Sequence, residues 1–240
     1  MIRLIASDID GTLLQEGNSQ LNPQLFDLIR EFKKHDIHFV VASGRQLDSQ
    51  QLLFSPVAQD ISYIAENGAI CMYQGQKYVI SSFDRAFAMR IITEVEKYPN
   101  CKLAISTPNT QYIKSGDDVF YKYMTETLSY HITKIDAFED ILEPIVKIAF
   151  LNNVDPQASY EHFHRIFGKE IRIANAGNLW IDFIPFDSNK GTALKFILEQ
   201  MNLFIDKFQE LKTMLEKEDI NGMREMMRHS TERRALFDKK

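Results

Sequence analysis

The opening residues, Met1-Ile-Arg-Leu-Ile-Ala-Ser-Asp8-Ile-Asp10-Gly11-Thr12-Leu13-Leu14, constrain this chain more than any other stretch. A short run of branched apolar residues, stopped by a Gly-Thr turn, predicts a β-strand buried on both faces. Asp8 and Asp10 then lie at the strand's carboxyl end, where open α/β sheets place their ligands. Side-chain alternation points both carboxylates the same way, about 7 Å apart by strand rise. Like charges that close repel, and a bound cation is the usual remedy. Asp and Gly are also ordinary turn residues, so a bare Asp-x-Asp reads equally well as an acidic turn.

Beyond this strand, Asn22-Pro23 offers a helix cap followed by proline in the first turn. Leu25, Leu28, Ile29 and Phe32 recur at helical spacing up to Lys33-Lys34. Residues 37–42 and 61–65 read as buried strands with a helix over 46–54 between them. Strand–helix–strand–helix–strand predicts a doubly wound parallel sheet. A hairpin over 70–81, turning at Gln74-Gly75-Gln76, follows. From about residue 83 the order changes. Helices over 86–98, 119–131 and 156–167 mix with strands over 103–106, 111–114 and 145–151, and with 170–174 paired to 179–184. Hairpins in place of crossovers predict an α+β module at 83–184, inserted between core segments 1–82 and 185–202. A single continuous sheet is the alternative. A last core helix runs to about Met201, and 203–240 reads as a helical tail with Phe204, Phe208, Leu211 and Leu215 on one face.

Composition excludes several classes. Hydrophobic residues at 45% and charged residues at 25% are globular values. A formal charge of −5, from 28 basic against 33 acidic residues, leaves no basic stripe for nucleic acid. No signal-peptide pattern follows Met1, and no apolar run reaches the roughly 18 residues of a membrane helix, so a cytoplasmic protein with no membrane partner is expected. Cys71 and Cys101 lack metal-ligand spacing and are expected to pack as small hydrophobes.

Four more positions fall where a phosphate site would want them. Ser43 follows the second strand, so its hydroxyl and the N–H groups of Ser43-Gly44-Arg45 can hold a phosphate oxygen, though serine is also an ordinary helix cap. Arg45 can meet that phosphate or sit on the helix surface. Asn67, in Glu66-Asn67-Gly68, is either a substrate contact or a turn residue. Lys190 stands at a helix start, where the helix dipole disfavours a cation. A charge placed against its local preference points to a site more strongly than one in a favoured place.

Taken together, these residues resemble the haloacid dehalogenase (HAD) superfamily. Asp8-Ile-Asp10-Gly-Thr-Leu-Leu resembles its first motif, Val-Val-Ala-Ser43-Gly-Arg its second and Ser-Asn-Lys190-Gly-Thr-Ala-Leu its third. Glu66-Asn-Gly-Ala resembles the Cof-type branch, in which a class IIB cap lies between the second and third motifs. The resemblance covers roughly residues 1–200. It implies an α/β fold: a Rossmann-like parallel-sheet core with an inserted α+β cap. It also implies Mg²⁺-dependent phosphatase activity on a small phosphorylated metabolite such as a sugar phosphate. Carried over, Asp8 is the nucleophile and Asp10 the general acid/base. Ser43 and Gly44 bind the phosphoryl group, Lys190 neutralises it, and Arg45 and Asn67 meet the substrate. The Asp8 carboxylate and the Asp10 carbonyl are the metal ligands.

One family motif is missing. A strand ending in Gly-Asp-x-x-Asn-Asp would complete the magnesium site, yet no Gly-Asp pair follows Gly191 and the only later glycine is Gly222. Weaker magnesium binding is the expected consequence, with Asp187 or Asp206 as substitute ligands. The sheet also lacks a strand beside its first, leaving an edge that the tail or a second copy of the chain would cover. The Met-Arg-Glu-Met-Met-Arg-His-Ser-Thr-Glu-Arg-Arg run resembles the helical tail of prephenate dehydrogenases, and no activity carries over from it. The alternative function is a catalytically impaired relic that binds phosphate or self-associates.

Overall fold

Three parallel strands carry the first half of the chain: β1 (Leu4–Ser7), β2 (His38–Ala42) and β3 (Ile61–Ala65). The computed structural model describes residues 2–15, 20–98, 101–152, 154–176 and 179–203. The expected tail helix, its apolar face and Asp206 therefore lie outside the described residues. Helix α1 (Pro23–Lys34) starts where Asn22 accepts the Gln24 N–H at 3.0 Å and Pro23 presets the first turn. Its Ile29 is buried, whereas Leu28, expected on the same face, is exposed. Helix α2 (Leu47–Leu53) returns the chain to β3, and both helices pack into one cluster with Phe39, Val41 and Tyr63. The hairpin β4 (Ile70–Tyr73) and β5 (Gln76–Val79) then adds two antiparallel strands, giving the order β1-β2-β3-β4-β5.

The opening strand is not buried on both faces as its composition suggested. Leu4, Ile5 and Ser7 are half-buried and Ala6 is exposed. The reason is position, because β1 is an edge strand among the described residues, with β2 its partner.

Helix α3 (Arg85–Glu96) leads into a second sheet, built from β6 (Cys101–Ser106), β7 (Gln111–Lys114), β8 (Ile132–Ile135), β9 (Lys147–Asn152), β10 (Arg172–Ala176) and β11 (Trp180–Ile184). Its order is β10-β11-β9-β6-β7-β8, and among the described residues none of its strands pairs with the first sheet. Two expectations for this region are corrected. The helix expected over 119–131 is α4 (Asp118–Lys122) followed by a π-turn over Tyr123–Thr127, and Ile132–Ile135 is a strand. Strands β7, β8, β9 and β10 all run in the same direction, so this module joins them by crossovers and has hairpins only at β6–β7 and β10–β11. Helix α3 and helix α5 (Pro156–Phe167) cover one face with Ile91, Val95, Phe163 and Phe167, against Phe150 and Phe183 of the sheet. Phe120 and Met124 cover the other face. Both sheets belong to one unit, Leu4–Leu194, and helix α6 (Lys190–Gln200) ends the described chain.

Cys71 is buried and unpaired, and burial pushes its thiol pKa up to about 12, as a small core hydrophobe requires. The Cys101 side chain is outside the description. Among the described residues no helix is long and apolar enough to cross a membrane.

Candidate active site

The candidate site lies in the loops that leave the carboxyl ends of β1, β2 and β3. Ile9 is fully buried while Asp8 and Asp10 on either side are accessible, so strand alternation continues past Ser7 and sets both carboxylates outward. The N–H groups of Thr12, Leu13 and Leu14 close on the Ile9 carbonyl at 3.2, 2.9 and 2.8 Å and fix the turn.

The two carboxylates are held differently. Asp8 Oδ1 accepts the Ile9 N–H at 2.8 Å, and Oδ2 pairs with Lys190 Nζ at 2.6 Å. Asp10 takes a fork from Arg45, whose Nε donates to Oδ2 at 3.0 Å and Nη2 to Oδ1 at 2.6 Å. Hydrogen bonding to Asp10 holds the Arg45 pKa above its ordinary value, against the effect of burial. Each carboxylate thus has a cation from the chain itself. Lys190, the first residue of α6, trades an unfavourable helix dipole for the Asp8 charge.

Ser43 is buried between these loops. Its N–H donates to Ile64 O at 2.9 Å, and its Oγ accepts the Arg45 N–H at 3.2 Å and lies 3.5 Å from Asp10 Oδ2. Asp10, Ser43 and Arg45 are therefore in direct contact, with Gly44 between the last two in the chain, while Asp8 and Lys190 form a separate pair. Asn67 joins from behind. Its backbone is left-handed (φ 59°, ψ 21°), its N–H donates to Ser43 O at 3.2 Å, and its Nδ2 donates to Asp182 Oδ2 at 3.3 Å. Asn67 Oδ1 also faces Gly44 so closely that a Cβ there would stand 2.7 Å away. Asn67 thus buttresses the Ser43–Arg45 turn.

Two charged residues, Lys147 and Asp182, went unnoticed in the sequence, and they meet Glu66, which was read there only as part of a motif. Lys147 Nζ lies 2.6 Å from Glu66 Oε2, 3.1 Å from Gly44 O and 3.8 Å from Asp182 Oδ2. All three side chains are buried. Burial acts against the Lys147 ammonium, but Asp182 and Glu66 outweigh it and hold its pKa above the ordinary lysine range. The signal was present: Lys147 interrupts Ile145-Val-Lys-Ile and Asp182 interrupts Trp180-Ile-Asp-Phe-Ile, two otherwise apolar strands.

For a metal, the chain offers hard oxygen donors. Among the described residues no N–H or O–H donates to the Asp10 carbonyl, and the Asp8 carboxylate is accessible beside it in sequence. This donor type fits a hard dication whose remaining ligands are water and substrate. No three His, Cys, Asp or Glu residues among those described stand together as a metal cluster. Asp187, a suggested substitute, instead accepts the Ser81 hydroxyl at 2.5 Å. Beside Arg45 an open cavity of about 380 Å³ is lined by Phe26, Ser49 and Leu52 and, from the second-sheet region, by Leu128 and Ser129.

A family model described as haloacid dehalogenase-like hydrolase matches residues 5–209. Over 198 residues the chain is 26% identical to the 5-amino-6-(5-phospho-D-ribitylamino)uracil phosphatase YbjI of Escherichia coli, covering 81% of this chain and 72% of that protein. A haloacid dehalogenase-like hydrolase from B. subtilis has a similar structure, with a TM-score of 0.69 at 20% identity, over 84% of this chain and 80% of that one. The HAD subclass IIB sugar phosphatase BT4131 gives a TM-score of 0.67 at 15% identity, over 83% and 76% of the two chains. At such identities the structural likeness establishes the fold.

Proposed function

Because the chain belongs to the haloacid dehalogenase-like hydrolase family, we propose that it is a Mg²⁺-dependent phosphate monoesterase. It would act through an aspartyl-phosphate on a small, sugar phosphate-like metabolite. The observation that carries this reading is the Asp8 carboxylate, oriented by the Ile9 N–H and paired with Lys190 at 2.6 Å. Substrates of this kind are supported by the named activity of the E. coli relative.

In this reading an Asp8 oxygen attacks phosphorus as the ester P–O bond breaks, and the leaving alkoxide takes a proton from Asp10. Water then attacks the aspartyl-phosphate and gives a proton to Asp10, and the P–O bond to Asp8 breaks to release phosphate. Lys190 and the Ser43 hydroxyl stabilise the phosphoryl charge. Arg45 donates to both Asp10 oxygens, at 3.0 and 2.6 Å. A dianionic substrate phosphate is the natural competitor for that guanidinium. Magnesium, held by the Asp8 carboxylate and the Asp10 carbonyl, would supply further charge neutralisation.

We take 83–184 as the cap and the cavity beside Arg45 as the place for the leaving group. Cytoplasmic residence and pairing of a second copy at the β1 edge belong to the same proposal. The impaired-relic alternative is not favoured by the comparisons.

Hydrolysis of an aryl phosphate across a magnesium titration, with Asp8→Asn as control, tests the reading. Saturable, magnesium-dependent turnover that falls at least about a thousandfold in Asp8→Asn is expected. No turnover at high magnesium would turn the reading toward a phosphate-binding protein. An Asp8→Asn variant as fast as wild type would remove Asp8 as nucleophile.

A further inference from the structure

We propose that Lys147, on the second sheet, is a positioning residue that fixes the phosphate-binding turn of the first sheet. The idea rests on the phosphatase reading for its kinetic consequence and on geometry for its substance.

Two loops of the first sheet stand back to back. Glu66 N–H donates to Arg45 O at 3.1 Å and Asn67 N–H to Ser43 O at 3.2 Å. Neither loop has a regular ladder to hold it, and Glu66 and Asn67 both adopt positive φ, 49° and 59°. Such backbone conformations persist only when their surroundings over-determine them. Those surroundings come from the other sheet. Lys147 Nζ donates to Gly44 O at 3.1 Å, the residue between Ser43 and Arg45, while it pairs with Glu66 at 2.6 Å. One ammonium thereby ties both loops together. Asp182, from the neighbouring strand β11, accepts from Asn67 Nδ2 at 3.3 Å and lies 3.8 Å from the same ammonium. Val146, next to Lys147, is fully buried in the first sheet's core, which anchors this point of β9 against the first sheet.

A stability role alone is a poor account of these charges. Buried ion triads commonly stabilise no better than apolar side chains of the same volume, and leaving one partner behind is what costs most. Stability and positioning therefore come apart in a pair of variants. Lys147→Met strands two buried carboxylates. Adding Glu66→Gln removes one of them and restores much of the lost stability, but Gly44 O still lacks its donor.

The test measures thermal midpoint, kcat and KM for an aryl phosphate, inhibition by inorganic phosphate, and amide hydrogen exchange in wild type, Lys147→Met and Lys147→Met/Glu66→Gln. Positioning predicts that the double variant regains its midpoint while kcat/KM stays down by up to about a hundredfold. Phosphate inhibition weakens in parallel, and exchange quickens at residues 43–45 and 66–68 over the rest of the chain. Activity that recovers together with the midpoint, or exchange unchanged in those two segments, overturns the proposal. If wild type shows no turnover, the phosphatase reading fails and the exchange pattern alone decides the role of Lys147.

Discussion

At the scale of single residues, the candidate site pairs each accessible carboxylate with a cation from the chain. Asp8 and Asp10 flank a buried isoleucine, and Lys190 and Arg45 each neutralise one of them. Both pairs offset the repulsion that the sequence pattern predicts between these carboxylates. Gly68 shows how tightly the site is backed. Its φ is +102°, and an added Cβ would stand 2.3 Å from the Asn189 carbonyl, just before Lys190. Gly68→Ala is therefore expected to cost roughly 1–3 kcal/mol from the backbone conformation alone, with the clash adding to it. Urea denaturation would measure this, and an unchanged midpoint would contradict the account. Because Asn189 must move, turnover should fall in the same variant.

At the scale of elements, local rules served well where one element decides its own shape. The Asn22-Pro23 start of α1, the span of β3 and the span of α5 agree with the sequence reading because caps, prolines and apolar periods act within a few residues. Asn22→Ala should cost about 1 kcal/mol, visible as a lower midpoint in denaturant, because the Gln24 N–H loses its acceptor. Strand β8 was missed for the opposite reason. Ile132-Thr-Lys-Ile is short and only partly apolar, and its parallel pairing with β7 makes it a strand. The half-buried β1 owes its exposure to its place at the edge, which the missing strand motif pointed to and the strand's own composition did not.

At the scale of the whole unit, contacts between the two sheets set the geometry of the site. Gln46, just before α2, makes a reciprocal pair with the backbone of His131: Nε2 donates to its carbonyl at 3.1 Å and Oε1 accepts its N–H at 2.8 Å. Lys77 of the β4–β5 hairpin donates to Pro108 O at 2.7 Å. Together with Lys147 these tie the second sheet to the first at three places. Gln46→Ala removes two hydrogen bonds and is expected to lower stability by roughly 1–3 kcal/mol. Limited proteolysis should then cut faster near residues 128–132. A cleavage pattern identical to wild type would show that Gln46 is not such a tie.

The sequence alone determined the three parallel strands, the hairpin after them, the change of pattern near residue 83, and the choice of Asp8, Asp10, Ser43 and Lys190 as candidate residues. These depend on apolar period, turn chemistry and local motif, all carried by neighbours along the chain. Only the tertiary structure decided that Arg45 holds Asp10, that Asn67 backs the Ser43–Arg45 turn, and that Glu66, Lys147 and Asp182 form one buried cluster. Lys147 and Asp182 are 35 residues apart and both lie far from Glu66 in the chain. Their pairing depends on which strands become neighbours and which way each side chain faces, and those are properties of the packed sheets.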